Sequence, residues 1–170
     1  MLATAAFDHA SAARHAQAEA GLDVRQLAPG VWISEQIGPE QLGSLKSQGF
    51  RTVIDLRPDN EVAGQPPASA MSTAAAGQGL AFDYIPVSHG DVPAGAVEAL
   101  GRNLAQGQKP VLLYCRSGRR AARTWALAEA SRPGGLQTAS ILQAVHAAGQ
   151  DAADLADQIA ARVAARPATH

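Results

Sequence analysis

The chain has 170 residues, 46% of them apolar and 17% charged, with a formal net charge of −1. That length suits one domain with its own core, and the near-neutral balance gives no basis for nucleic-acid binding or attraction to an anionic membrane. The single cysteine, Cys115, excludes an intramolecular disulfide and points to a reducing, cytoplasmic setting, and no apolar run approaches membrane-spanning length.

Residues 1–26 are rich in alanine, with Leu2 and Phe7 as the main apolar anchors, and predict a loosely attached helix or frayed tail. Asp8 and Glu19 argue against a transit peptide, and the apolar core of a signal peptide is absent. Residues 27–170 are expected to form a single catalytic domain. Val31-Trp32-Ile33 predicts a short strand, and Gly38-Pro39-Glu40 opens a helix that Gly49 stops. The β-branched run over 52–56 predicts a central strand leading into the charged turn Arg57-Pro58-Asp59-Asn60-Glu61. Small residues over 67–78 predict a helix, and the alternation over 80–85 predicts a strand nearer the sheet edge. Pro93 starts a helix in which Val97, Leu100 and Leu104 share a side, and Gly107 ends it. The apolar run over 111–114 predicts a buried strand, followed by a helix over 119–130. Two more helices follow Pro133-Gly134-Gly135, with Asp151 the expected N-cap of the last. Strands alternating with helices predict an α/β fold with a mainly parallel central sheet flanked by helices. Ligands in such sheets lie beyond the carboxyl ends of the strands, where Cys115, the turn over 55–61 and the loop holding His89 and Asp91 all fall.

The most informative stretch is Tyr114-Cys115-Arg116-Ser117-Gly118-Arg119-Arg120. A strand, a tight loop and a helix start place backbone N–H groups and the positive end of a helix dipole around one point. Such surroundings favour a thiolate, and arginines add donors suited to a tetrahedral anion. Cys115 is therefore the expected nucleophile and Arg120 the anion-binding arginine. Arg116, Ser117, Gly118 and Arg119 complete the anion-binding loop, although Arg116 and Arg119 are equally readable as exposed neighbours. The five histidines are scattered without metal-ligand spacing, so neither a metal nor another cofactor is predicted.

Three pieces carry a family resemblance: Gly30-Val31-Trp32-Ile33-Ser34, Val53-Ile54-Asp55-Leu56-Arg57-Pro58-Asp59 and the cysteine loop. Residues 27–148 resemble the small bacterial family of phosphatase-like domains named after beta-lactamase hydrolase-like proteins, described both as sulfur transferases and as phosphatases. The resemblance implies a dual-specificity tyrosine-phosphatase-like fold. It also carries the nucleophile and anion-binding roles over to Cys115 and Arg120.

Two chemistries use such a loop. Tyrosine-phosphatase loops place five residues between Cys and Arg, with His before and Ser or Thr after. Here four residues intervene, Tyr114 precedes and Ala121 follows. The spacing is similar to the rhodanese sulfurtransferase loop, whose smaller ring of donors suits a persulfide. Loop length makes sulfur transfer through a persulfide on Cys115 the expected reaction, and the fold resemblance makes phosphomonoester hydrolysis through phosphocysteine the alternative; both use one activated thiolate. A non-catalytic anion-binding or redox-sensing module is a further reading. The expected partner is a small anionic substrate, a sulfane-sulfur donor or a phosphoester. Since no second cysteine can resolve a persulfide, sulfur transfer also implies an acceptor protein.

Asp91 lies 24 residues before Cys115 and suits either a general acid or an N-cap for the helix at Pro93, with capping the commoner use. His89 is a rival acid or an exposed loop residue. Arg57 and Asp59, with Glu61, would order the rim through ion pairs or form a solvated turn. Trp32 and Trp125 are expected in packing.

Overall fold

The computed structural model describes residues 22–168; of the tail or helix expected over residues 1–26, residues 1–21 lie outside them. A five-stranded sheet has the order β1-β2-β5-β3-β4, with β1 (Arg25–Ala28), β2 (Val31–Ser34), β3 (Thr52–Asp55), β4 (Ala81–Tyr84) and β5 (Val111–Tyr114). Only β1 is antiparallel, joined to β2 through Gly30, whose φ of 77° suits a turn residue without a Cβ. The packed structure reaches further toward the amino end than residue 27, because Leu22 and Val24 are buried against the sheet and β1 begins at Arg25. The sequence hid β1 because only Leu27 among its side chains is fully buried.

Residues Ser34, Tyr114, Asp55 and Tyr84 lie level across β2, β5, β3 and β4. The loops that follow these four strands therefore leave one edge of the sheet together, and the polar segments meet there. β4 is the edge strand that its alternating pattern predicts.

Helices cover both faces. On one, α1 (Leu42–Ser47) and α2 (Ala68–Gly77) bury Leu42, Leu45, Met71 and Ala75 against Trp32, Val53, Leu112 and Tyr114. A 3₁₀ turn at Pro39–Gln41 precedes α1, so the helix predicted to open at Pro39 begins as the tighter form. On the other face lie α3 (Ala94–Gln106), α4 (Arg119–Ser131), α5 (Thr138–Ala147) and α6 (Ala156–Ala164). α4 is the central helix of that layer, and every residue over 120–130 is buried. Its alanines at 121, 122, 126, 128 and 130 let the sheet and neighbouring helices approach closely, while Trp125 supplies most of the volume. Asp151 is not the predicted N-cap: Ala152 holds that position in the 3₁₀ turn Ala153–Leu155 that leads into α6, and Asp151, one residue earlier, accepts the N–H of Ala153 at 2.8 Å. Among the described residues no helix is long and apolar enough to cross a membrane.

Candidate active site

The site forms where β5 stops. Val111 and Leu113 point into the α3–α6 layer and Leu112 and Tyr114 into the other, so the pleat turns the next residue, Cys115, toward α4. Its thiol is 1% exposed and lies at the floor of the loop. Gly118 is the N-cap of α4 with φ 89°, a conformation that glycine alone adopts without strain. That geometry aims the Gly118 N–H at Cys115 Sγ, 3.2 Å away. A Cβ at this position would also crowd Gln150 Nε2 at 3.3 Å.

The loop carbonyls are held outward. Arg116 O accepts the N–H of Gln36 at 3.1 Å, and Ser117 O accepts Gln150 Nε2 at 3.0 Å. Both oxygens are thus held by partners outside the loop, while the Gly118 N–H turns inward to Sγ. Gln36 follows β2 and Gln150 follows α5, so two distant segments brace six residues of loop.

Arg120 is 6% exposed and its guanidinium is fixed. Nη1 and Nη2 donate to the two oxygens of Glu61 at 2.7 and 2.9 Å, and Nη1 also reaches Val87 O at 2.9 Å. Glu61 is held in turn by Arg57 Nε at 2.9 Å, and Arg57 Nη1 donates to Gln36 Oε1 at 3.1 Å. The Arg120 fork, with Arg57 beside it, pulls the Glu61 carboxyl down to about 2 despite opposing desolvation. Glu61 and the neighbouring Cys115 raise Arg120 above its ordinary value. The turn over 57–61 is thus a partly buried ion-pair relay, with Asn60 exposed, and Glu61 is the member that touches Arg120. Asp59 serves the backbone instead, its Oδ1 accepting the Ala68 N–H at 2.8 Å at the start of α2.

Asp91 does not cap α3. The N-cap is Pro93, and no side chain bonds the free N–H groups there. Asp91 is instead exposed and lines an open cavity of about 410 Å³ with His89, Gly90, Arg119, Arg120, Arg123 and Asp154. Arg119 and Arg116 are both exposed. Arg123 and Asp154, absent from the sequence-based expectations, enter because α4 and the 3₁₀ turn before α6 meet at this cavity. They form a bidentate pair at 2.6 and 2.8 Å. Only the pairing, 31 residues apart in the chain, reveals them.

The chain is 35% identical over 97 residues to a "Beta-lactamase hydrolase-like protein" of Xylella fastidiosa, a match covering 57% of this chain and 22% of that protein, so the chain spans about a fifth of that relative's length. Its fold matches the crystal structure of a candidate phosphatase from Neisseria meningitidis with a TM-score of 0.70 and 26% identity, over 81% of this chain and 96% of that one. P. aeruginosa TpbA, solved in complex with pTyr, shares the fold at a TM-score of 0.56 and 15% identity, over 85% of this chain and 92% of that one. The dual-specificity tyrosine-phosphatase-like architecture implied by the sequence is therefore the observed one. Residues 23–132 match the family described as "Beta-lactamase hydrolase-like protein, phosphatase-like domain", and with that span covering all five strands and the whole cysteine loop, the chain belongs to this family.

Proposed function

We propose that the domain is a cysteine-dependent phosphatase that hydrolyses phosphomonoesters through a phosphocysteine intermediate. The observation that carries the reading is the Arg120 fork, locked by Glu61 beside a thiol that already receives the Gly118 N–H. Preorganised donors aimed at developing charge are the largest source of rate enhancement in such sites. The family membership and the phosphatase folds among its structural relatives support the same reading.

In the first step the Cys115 thiolate attacks phosphorus, the P–O bond to the leaving group breaks, and Asp91 gives its proton to the departing oxygen. Loop N–H groups and Arg120 hold the non-bridging oxygens. In the second, water attacks phosphorus, the S–P bond breaks, Asp91 takes back a proton, and inorganic phosphate leaves with the thiolate restored. Ala121 places no hydroxyl after Arg120, so departure of the thiolate relies on the Gly118 N–H and Arg120.

Sulfur transfer is the second reading, favoured by one observation, the four-residue interval between Cys115 and Arg120. Parallel assays separate the two. Hydrolysis of p-nitrophenyl phosphate, lost in Cys115→Ser with folding intact, is the expected result. A persulfide on Cys115 by mass spectrometry after thiosulfate, with turnover to cyanide and no phosphate release from esters, would overturn the phosphatase reading.

A further inference from the structure

The cavity beside the cysteine loop is lined by three arginines, yet little of that positive charge is free. Arg120 is spent on Glu61, which lies behind it. Arg123 is spent on Asp154. Arg119 has no ion pair among the described residues, but Asp91 shares the cavity with it. Two of the three lining arginines, Arg120 and Arg123, thus already face a carboxylate before a substrate arrives. A site meant to seize a polyanion would leave such cations uncovered.

The Arg123–Asp154 pair is the asymmetric one. The Arg123 side chain is 9% exposed and that of Asp154 61%. Arg123 is a cation set into the wall, and Asp154 is a carboxylate laid over it from the solvent side. Asp154 comes from the 3₁₀ turn after α5, carboxyl-terminal to residues 23–132 that match the family.

We propose that Asp154 is a specificity determinant. By occupying Arg123 it reserves the pocket for substrates whose only strongly anionic group is the one held over Cys115. It disfavours those carrying a second phosphate, sulfate or carboxylate beside the first. The second anion would have to displace Asp154 from Arg123 or sit against it. The inference rests on the phosphatase reading and narrows its substrate class to singly phosphorylated molecules with a neutral body next to the phosphate.

Binding to the full chain carrying Cys115→Ser tests it, with phenylphosphonate and 3-carboxyphenylphosphonate as probes in calorimetry. Phenylphosphonate is expected to bind more tightly by roughly threefold to fivefold, the scale of a partly exposed ion pair. Adding Asp154→Asn, which keeps an oxygen for Arg123 but removes the charge, is expected to erase or invert that preference. Adding Arg123→Met instead, which leaves the Asp154 carboxylate unbalanced, is expected to widen it. Opposite movements separate a charge effect from simple damage, because a merely structural pair would move the ratio the same way in both variants. An unchanged ratio in Asp154→Asn, or parallel movement in both, overturns the proposal while leaving the phosphatase reading standing. Failure of either phosphonate to bind any of these proteins overturns that reading and this inference with it.

Discussion

At the residue scale the fork at Arg120 decides most. A planar guanidinium satisfies Glu61 through two nitrogens and still has N–H groups for an anion. Lysine keeps the charge and loses the fork, so Arg120→Lys is expected to lower kcat/KM by at least about 10²-fold, whereas Arg119→Ala at an exposed position costs far less. Steady-state kinetics on p-nitrophenyl phosphate checks both, and equal losses would mean the wrong arginine is credited. Asp91 belongs to the same scale. Since it caps nothing, Asp91→Asn tests proton donation without disturbing α3. Hydrolysis of phenyl phosphate, a poor leaving group, is expected to fall about 10²–10⁴-fold, with p-nitrophenyl phosphate affected less. A uniform small loss across leaving groups would remove Asp91 from the acid's role. Cys115 and Arg120 were legible in the sequence because a strand end, glycine and helix start sit within six residues. Glu61 was visible only as one charge in a turn, since nothing local says that its partner lies 59 residues away.

At the element scale the loop owes its shape to neighbours outside its own strand and helix. Gln150 is the side chain that reaches it, from the segment joining α5 to the last 3₁₀ turn. Gln150→Ala releases Ser117 O while leaving Cys115, Arg120 and Glu61 in place. The expected result is a fall in kcat of about 3- to 10-fold with little change in melting temperature, because one partly exposed hydrogen bond contributes only about 1 kcal/mol. Gln150→Glu, which cannot donate, should match the alanine variant, and a full wild-type rate in both would deny the brace any function. Periodicity found the helices and four of the five strands, since buried runs such as Val111–Tyr114 are unmistakable. It missed β1, with its exposed Arg25 and Gln26, and it misassigned the start of α3, where Pro93 itself occupies the cap position.

At the scale of the whole molecule two carboxylates six residues apart respond to pH in opposite senses. Glu61 is pulled down to about 2, so its contribution to stability is present above the ordinary carboxylate value and is lost as pH falls through 2. Asp55, 1% exposed at the end of β3, is pushed up to about 6 by burial, against the Arg57 N–H that donates to it at 2.8 Å. Its neutral form is the one the fold prefers. Stability is therefore full below the ordinary value of 3.8 and declines as pH rises through 6. Asp55→Asn keeps an acceptor for Arg57 and removes the charge. It is expected to stabilise the protein by about 1–3 kcal/mol at pH 8 and hardly at all at pH 4, read by denaturant unfolding at both values. Equal effects at the two pH values would place the Asp55 proton elsewhere.

The bond from Arg120 to Glu61 joins groups 59 residues apart. A chain in which β5, the loop and α4 have formed but the segment after β3 has not docked holds the nucleophile and lacks the brace for its arginine. Catalysis is then a property of the finished molecule and not of its signature motif. A protease that nicks the exposed stretch 62–64 is expected to silence the proposed phosphatase without touching Cys115, and turnover becomes a gauge of how much of a population is completely folded.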